Sequence, residues 1–290
     1  MNNTNLVLEY ERFLEANSLK YKNGRDISNL YDLELIIVAC KKDFEVLSQA
    51  LHLTLKSLSN FNSVRIKIIV PSRDILEMKM ITLKFSHDIE IVNEQSIVNS
   101  EIFSEIRKLF GNRDTWVYQQ LLKLYAVAQS SARVVMVLDA DTVLVQKLKW
   151  IIDGERQLLM PSHEYNKPYY SFLQAIKINQ INPQFTFVSH HMLYVPRILS
   201  QIMANLKVDS QSELIKLFSL HAELDSSSPV CVDYELYGQW MFSNLKSKVY
   251  FGKWANLVIS RTLLKKTLNS QIKMKLYSKC FNSISFHSWS

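Results

Sequence analysis

The chain has 290 residues, 48% of them hydrophobic and 21% charged, which gives a globular protein of one large domain or two small ones with a substantial core. Lys and Arg outnumber Asp and Glu by 34 to 27, for a net charge of +7, so a partner of negative charge is expected. The polar N-terminus, Met1 to Asp26, has no basic patch followed by an apolar run, and no apolar run elsewhere is long enough to span a membrane; a cytoplasmic protein is expected.

In chain order the sequence alternates. Leu33 to Ala39 reads as a buried strand, and Phe44, Leu47, Leu51, Leu55 and Leu58 follow at helical spacing. Arg65 to Val70 is a second strand, closed by Pro71 and Ser72; a short helix from Asp74 to Lys79 leads to a third strand at Ile89 to Val92. A helix over Ile102 to Phe110 stops at Gly111, and the next runs from Thr115 to Gln129 with Asp114 as its N-cap. Strand and helix in alternation predict a Rossmann-like α/β domain, a mostly parallel sheet flanked by helices. Residues 1–32 are expected to be an N-terminal extension and 33–290 the domain.

Arg133 to Gln146 organises the rest. Val134 to Leu138 is short, β-branched and continuous, as a central strand covered on both faces would be. Asp139 and Asp141 follow at once. In an extended chain residues i and i+2 point the same way, so both carboxylates can face one point at the carboxyl end of the strand, where open α/β sheets bind ligands. Two hard oxygen donors invite a divalent cation. The five glycines, at 24, 111, 154, 238 and 252, form no phosphate-cradling loop. The phosphates of any bound nucleotide therefore need a metal and cationic side chains.

On the preceding helix Trp116, Gln120 and Lys123 share one face, a polar stripe suited to a cleft. Cys40 stands at the end of the first strand, among the candidate cofactor-binding positions with Asp139, Lys123 and Gln120. Cys40, Cys231 and Cys280 lack a Cys-x-x-Cys spacing, which fits buried thiols in a reducing compartment and no structural zinc.

Later, Arg156 to Met160 and Thr186 to Tyr194 read as strands, the second with His190 and His191 pointing to opposite faces; one of the two is expected to face the cleft and an acceptor. Pro196 to Leu206 is a helix, and Ser210 with Glu213 makes a capping box for another. Ser226 to Pro229 is a loop. Asp233 and Glu235, near a helix start, are candidate catalytic carboxylates, although acids there also complement a helix dipole. From Leu236 to Ser290 there are nine Lys or Arg and no acid. That end suits an anionic membrane face or a charged acceptor; no aromatic-basic interleaving points to nucleic acid.

Trp-Val-Tyr-Gln-Gln-Leu-Leu-Lys-Leu (116–124), Val-Leu-Asp-Ala-Asp-Thr-Val-Leu (137–144), His190-His191-Met192, Asp233-Tyr-Glu-Leu-Tyr-Gly and the late Ser-Phe-His-Ser-Trp together resemble a family of bacterial GT-A-type glycosyltransferases with an Asp-x-Asp motif, associated with surface polysaccharide synthesis. The resemblance implies a nucleotide-sugar donor, a glycan or lipid-linked acceptor, and a Mn²⁺ or Mg²⁺ ion on Asp141, Asp139 and His287. It departs from the family at Asp233, where Glu is more usual, which leaves the choice of base between Asp233 and Glu235 open. Two other readings stand beside it. Asp139 and Asp141 also resemble the nucleophile and acid of haloacid-dehalogenase-type phosphatases, though that motif usually opens its fold. A non-catalytic module that binds a membrane or polymer through the basic end is the third.

Overall fold

The computed structural model describes residues 8–16, 23–162, 167–178, 186–224 and 233–287. The expected loop at Ser226 to Pro229, and Trp289, lie outside the described residues. A helix, α1 (residues 8–16), precedes β1 (Asp32–Val38), α2 (Phe44–Ser57), β2 (Ser63–Val70), α3 (Ile75–Thr82), β3 (Ile89–Asn93), α4 (Ser100–Phe110), α5 (Asp114–Gln129) and β4 (Val134–Asp139). Then come β5 (Thr142–Leu144), β6 (Ile151–Ile152), β7 (Arg156–Leu159), α6 (Lys167–Ala175), β8 (His191–Tyr194), α7 (Pro196–Asn205), α8 (Gln211–Leu224) and α9 (Tyr234–Asn244). β9 (Val249–Phe251), β10 (Asn256–Ser260), α10 (Leu264–Leu268), α11 (Gln271–Cys280) and β11 (Ser283–His287) complete the described chain.

The architecture is the expected α/β one, a mostly parallel central sheet flanked by helices. Its strand order is β3-β2-β1-β4-β8; the first four are parallel and β8 runs antiparallel to β4. β1 is the middle strand with β4 at its side, and their burial follows from nearly all-apolar sequence, interrupted in β1 by Glu34, which pairs with Lys67 of β2 at 3.1 Å. Alternate residues feed two cores. Leu33, Leu35, Ile37 and Met136 pack with Leu47, Leu51 and Leu55 of α2. Ile36, Val38, Val135 and Val137 pack with Val117, Leu121 and Leu124 of α5. Each such fully buried side chain contributes about 1.5–3 kcal/mol.

Helix ends follow their sequence cues with two adjustments. Gly111 closes α4 at φ +52°, a left-handed conformation that glycine adopts without penalty. Asp114 is the first helical residue of α5 and Arg113 the cap; the Asp114 carboxylate accepts from the Thr115 N–H at 2.6 Å and pairs with Arg107 at 3.1 Å. The Ser210 hydroxyl accepts from the Glu213 N–H, while the Glu213 carboxylate reaches the Asp209 N–H, one residue before the cap.

The expected strand over Thr186 to Tyr194 is cut to β8, with Thr186 in an isolated bridge to Ser162. His190 breaks it, at φ +63°. Its carbonyl accepts from the Asp139 N–H at 2.9 Å, so this turn of chain is fastened to the end of β4.

Two small sheets complete the body, β10-β11-β5 and β6-β7-β9. β11 lies between β10, parallel, and β5, antiparallel. α1 packs on the body through the Tyr10 hydroxyl, which donates to the Pro161 carbonyl at 2.8 Å, and through Phe13, edge-on to Phe251. Among the described residues no helix is long and apolar enough to cross a membrane.

Candidate functional site

The register Val38↔Asp139 sets the end of β4 beside the end of β1, so Asp139 emerges at the carboxyl edge of the sheet with 20% of its side chain exposed. α5 crosses behind it and delivers Lys123. The Lys123 ammonium lies 2.6 Å from Asp139 Oδ1 and 3.0 Å from Asp233 Oδ2. Tyr234 OH donates to Asp139 Oδ1 at 2.8 Å, and His190 Nδ1 lies 3.1 Å from Asp139 Oδ2. Burial alone would raise the Asp139 pKa, but the Lys123 charge and the His190 hydrogen bond hold it well below the usual carboxylate range. Burial likewise opposes charge on Lys123, and Asp139 with Asp233 more than reverses that. For His190 the Asp139 hydrogen bond and charge outweigh burial, and its pKa rises.

Ala140 and Asp141 turn the chain from β4 into β5. Here the small sheet matters. Ser285 pairs with Thr142 and the Phe286 N–H donates to the Asp141 carbonyl at 2.8 Å, which brings His287 alongside Asp141. Ile284 and Phe286, fully buried against Val46, Ala50 and Leu264, fix the strand from its other face. The His287 and His190 rings meet edge to face at 5.7 Å. Burial and the nearby Asp139 charge raise the Asp141 pKa, whereas burial lowers that of His287. Asp139, Asp141, His190 and His287 thus converge from three elements far apart in sequence.

Among the described residues no group of three or more His, Cys, Asp or Glu side chains is arranged to hold a metal. The donor chemistry nonetheless divides clearly. Asp139 has both oxygens in hydrogen bonds and its charge offset by Lys123. Asp141 has no ion pair among the described residues and repels its neighbour. A cation is what Asp141 lacks, and His287 supplies a nitrogen beside it; the residues fit a metal as two protein donors, with oxygens of a bound ligand needed to fill the shell.

Several expected site residues go elsewhere. Glu235 is fully buried in α9 and its carboxylate is saturated: Thr186 Oγ1 and the Phe187 N–H donate to Oε2 at 2.8 and 2.6 Å, and Gln239 Nε2 donates to Oε1 at 2.7 Å. It fastens the 186–187 segment to α9. Asp233 is 2% exposed, caps α9 through the Tyr234 N–H and pairs with Lys123, so it is not a free base either. Gln120 is buried against the turn of Trp116; of the polar stripe, Lys123 is the member that meets the carboxylates. His191 does point away from His190, but into the core, edge-on to Trp150 at 5.8 Å and 2% exposed; burial lowers its pKa to about 3. Cys40 lies past the end of β1, its thiol 3.4 Å from Asp43 Oδ2, and burial raises its pKa.

Sequence reasoning missed three side chains. Tyr234 holds Asp139. Trp254 lies tilted against His190, ring centroids 5.9 Å apart, while its indole N–H donates to the Ser189 carbonyl at 3.1 Å. Arg261 donates to the Phe286 carbonyl at 3.1 Å, to the Lys42 carbonyl, and pairs with Asp43 at 3.1 Å, clamping the strand of His287 to the loop after β1. The only signal for Arg261 was its charge, which had assigned it to the basic surface.

Two surface cavities, about 490 Å³ beside Trp240 and about 560 Å³ beside Asn60, lie away from this cluster. Among solved structures the chain is similar to mouse xyloside xylosyltransferase 1 in its apo form, at 10% identity and a TM-score of 0.46 over 89% of this chain and 98% of that one. It is similar to the galactosyltransferase LgtC in complex with donor and acceptor sugar analogues, at 12% identity and a TM-score of 0.48 over 87% and 86%. A third likeness is to core-mannan synthase A of Aspergillus fumigatus in its Mn/GDP form, at 10% identity and a TM-score of 0.41 over 76% and 72%. No curated protein matches the sequence. The family model that does match covers residues 33–267, and the chain belongs to that family, described as a family of unknown function (DUF6492).

Proposed function

We propose that this chain is a metal-dependent glycosyltransferase of the GT-A type, its domain spanning residues 33–290. It moves a sugar from a nucleotide-sugar donor to a glycan or lipid-linked acceptor, in the cytoplasm, in bacterial surface polysaccharide synthesis. The observation that carries the reading is the pairing of Asp141, which has no ion pair among the described residues, with the His287 ring beside the neutralised Asp139 at the carboxyl edge of the sheet. Asp141 and His287 would hold the metal, and an imidazole donor suits Mn²⁺ better than Mg²⁺. A bound ion would supply positive charge to offset that of a departing diphosphate.

The chain's own residues do the rest. Lys123 keeps Asp139 ionised, so that Asp139 can accept a hydrogen bond from a donor hydroxyl. His190, its pKa raised by Asp139, holds a proton toward the same space. Neither Glu235 nor Asp233 is free to take a proton from an acceptor, which supports transfer without a base from α9. The basic C-terminal region is assigned to an anionic inner-membrane face.

Thermal shift with UDP, GDP, CDP and CMP, each with and without Mn²⁺, tests the proposal. One nucleotide should stabilise the protein only with the metal, by about 2.7 kcal/mol at a ligand concentration near 100 times Kd. If none does, or if Mn²⁺ makes no difference, the assignment fails.

A further inference from the structure

α11 is an unusual element for a folded body, because none of its residues is buried. Met274 and Tyr277 turn inward and are half-buried against the small core under β11. On the opposite side Ile272 is 84% exposed and Leu276 is 58% exposed. These two are four apart, one helical turn, and so form a continuous aliphatic ridge. Lys275 and Lys279, again four apart, run along one flank of the ridge, and Lys273 lies on the other; all three are exposed. On the preceding element, Leu263, just before α10, is 46% exposed and Lys266 of α10 is exposed.

Single exposed aliphatics are ordinary. A ridge of two flanked by lysines, with no acid anywhere from Leu236 to Ser290, is not. The lysines Lys266, Lys273, Lys275 and Lys279 make no ion pair among the described residues, whereas Lys253 and Lys265 in the same region pair with Glu11 and Glu45. A helix lying in a bilayer interface has this pattern: aliphatic side chains reach the acyl boundary while lysine stems lie along it and keep their ammonium groups among anionic headgroups.

We propose that α11 docks on an anionic lipid bilayer, Ile272 and Leu276 entering the interface and Lys273, Lys275 and Lys279 meeting the headgroups. Phe281 and Asn282 join α11 to β11, and four strand steps of roughly 3.3 Å each put His287 about 13 Å beyond the start of that strand. The docking helix is thus tied directly to the strand that brings His287 to Asp141, and a lipid-linked acceptor at the surface lies near the cluster. That link rests on the proposed transferase; the lipid contact does not.

The test is co-sedimentation of the full chain with vesicles of phosphatidylcholine alone or mixed with phosphatidylglycerol, at low and high salt. The melting temperature and the Mn²⁺-dependent nucleotide shift are followed in parallel. The wild-type chain should bind the mixed vesicles, release in salt and ignore neutral ones. Ile272→Ser with Leu276→Ser, and separately Lys273→Gln with Lys275→Gln and Lys279→Gln, should each weaken binding about tenfold or more and leave both other readouts unchanged. Wild-type binding that neither variant weakens overturns the assignment to α11 while leaving a peripheral protein. Loss in the lysine variant alone overturns insertion of the ridge. No binding to either vesicle, or equal binding to both, overturns the docking whatever the nucleotide result. So does a dimer in solution that Ile272→Ser with Leu276→Ser dissociates, since a second copy would then cover the ridge.

Discussion

Lys123 Nζ stands 2.6 Å from Asp139 Oδ1 and 3.0 Å from Asp233 Oδ2, so one buried ammonium ties the end of β4 to the cap of α9. Removing it takes away the one ammonium that bridges both carboxylates, leaving His190 beside Asp139, in a site where the lysine side chain is only 5% exposed. Breaking a buried pair from one side costs about 3–5 kcal/mol. Lys123→Met should therefore lower stability by that order in urea denaturation. Adding Asp233→Asn should recover part of the loss, because one of the stranded charges is then gone. A fully additive double variant would mean that the two side chains do not interact.

Gly238 in α9 faces Phe187, and a Cβ there would lie 2.3 Å from the Phe187 ring. Phe187 is fully buried and its N–H is held by Glu235, so the ring has nowhere to go. A helical glycine replaced by alanine normally gains stability, by up to about 1 kcal/mol. Here Gly238→Ala should lose roughly 1–3 kcal/mol, as overpacked cores do. A melting temperature equal to or above that of the wild type would refute the close approach.

Glu235 gives a pH signature. Burial raises its pKa from 4.5 to about 6, so between those values the unfolded chain has lost the proton that the folded chain keeps. The contribution is fully present below pH 4.5 and is lost as pH rises through about 6, a decline of about 2 kcal/mol. Glu235→Gln removes that slope. Gln can still accept from Thr186 and Phe187, and the Gln239 amide can turn to accept from it. The variant should match the wild type near pH 4.5 and exceed its stability by about 1–2 kcal/mol at pH 7.5. Its turnover should stay near normal; a hundredfold drop would restore Glu235 as the base.

How much of this was written in the sequence depends on range. β1 and β4 were legible because a strand covered on both faces is nearly all apolar, β2 and β3 because short β-branched runs alternate with helices, and α2 because its leucines repeat at helical spacing. The carboxylates at the end of β4 followed from the same logic. What the sequence hid was pairing across distance. Nothing local marks His190 as the residue that leaves the strand at φ +63°, since that conformation is secured by Asp139. Nor does anything in Asp-Tyr-Glu-Leu-Tyr-Gly separate a catalytic acid from a structural one. Glu235 is structural because the Phe187 N–H and Thr186 hydroxyl arrive from another segment. Arg261 reads as one more basic residue until the Phe286 carbonyl and Asp43 are seen around it.

Asp141 should show a function-for-stability exchange. Its carboxylate is disfavoured by burial and by the neighbouring Asp139 charge, so Asp141→Asn relieves a repulsion in the apo-protein. We expect an apo melting temperature equal to or above the wild-type value. The Mn²⁺-dependent shift given by a nucleoside diphosphate should vanish. A variant that keeps the full shift would remove Asp141 from the metal site.

His287 is the sharper test of that site, because its position follows from strand register. The pairing Ser285↔Thr142 and the Phe286 N–H to Asp141 carbonyl bond set it beside Asp141, and Arg261 holds the strand end through the Phe286 carbonyl. The ring is 9% exposed, so truncation to alanine would mix lost packing with lost chemistry. His287→Gln keeps a polar side chain of similar length but replaces the imidazole nitrogen with amide groups, which are harder donors. If His287 gives the ion its nitrogen, the variant should bind the Mn²⁺–nucleotide pair about tenfold or more weakly and lose any preference for Mn²⁺ over Mg²⁺. Apo stability should change by no more than about 1 kcal/mol. Calorimetric titration with each metal, run beside melting curves without it, separates the two effects. An unchanged metal preference, or a crystal structure with Mn²⁺ and nucleotide in which the His287 nitrogen lies well beyond about 2.1 Å from the ion, would reduce His287 to a packing residue and leave Asp141 as the sole protein donor from this pair.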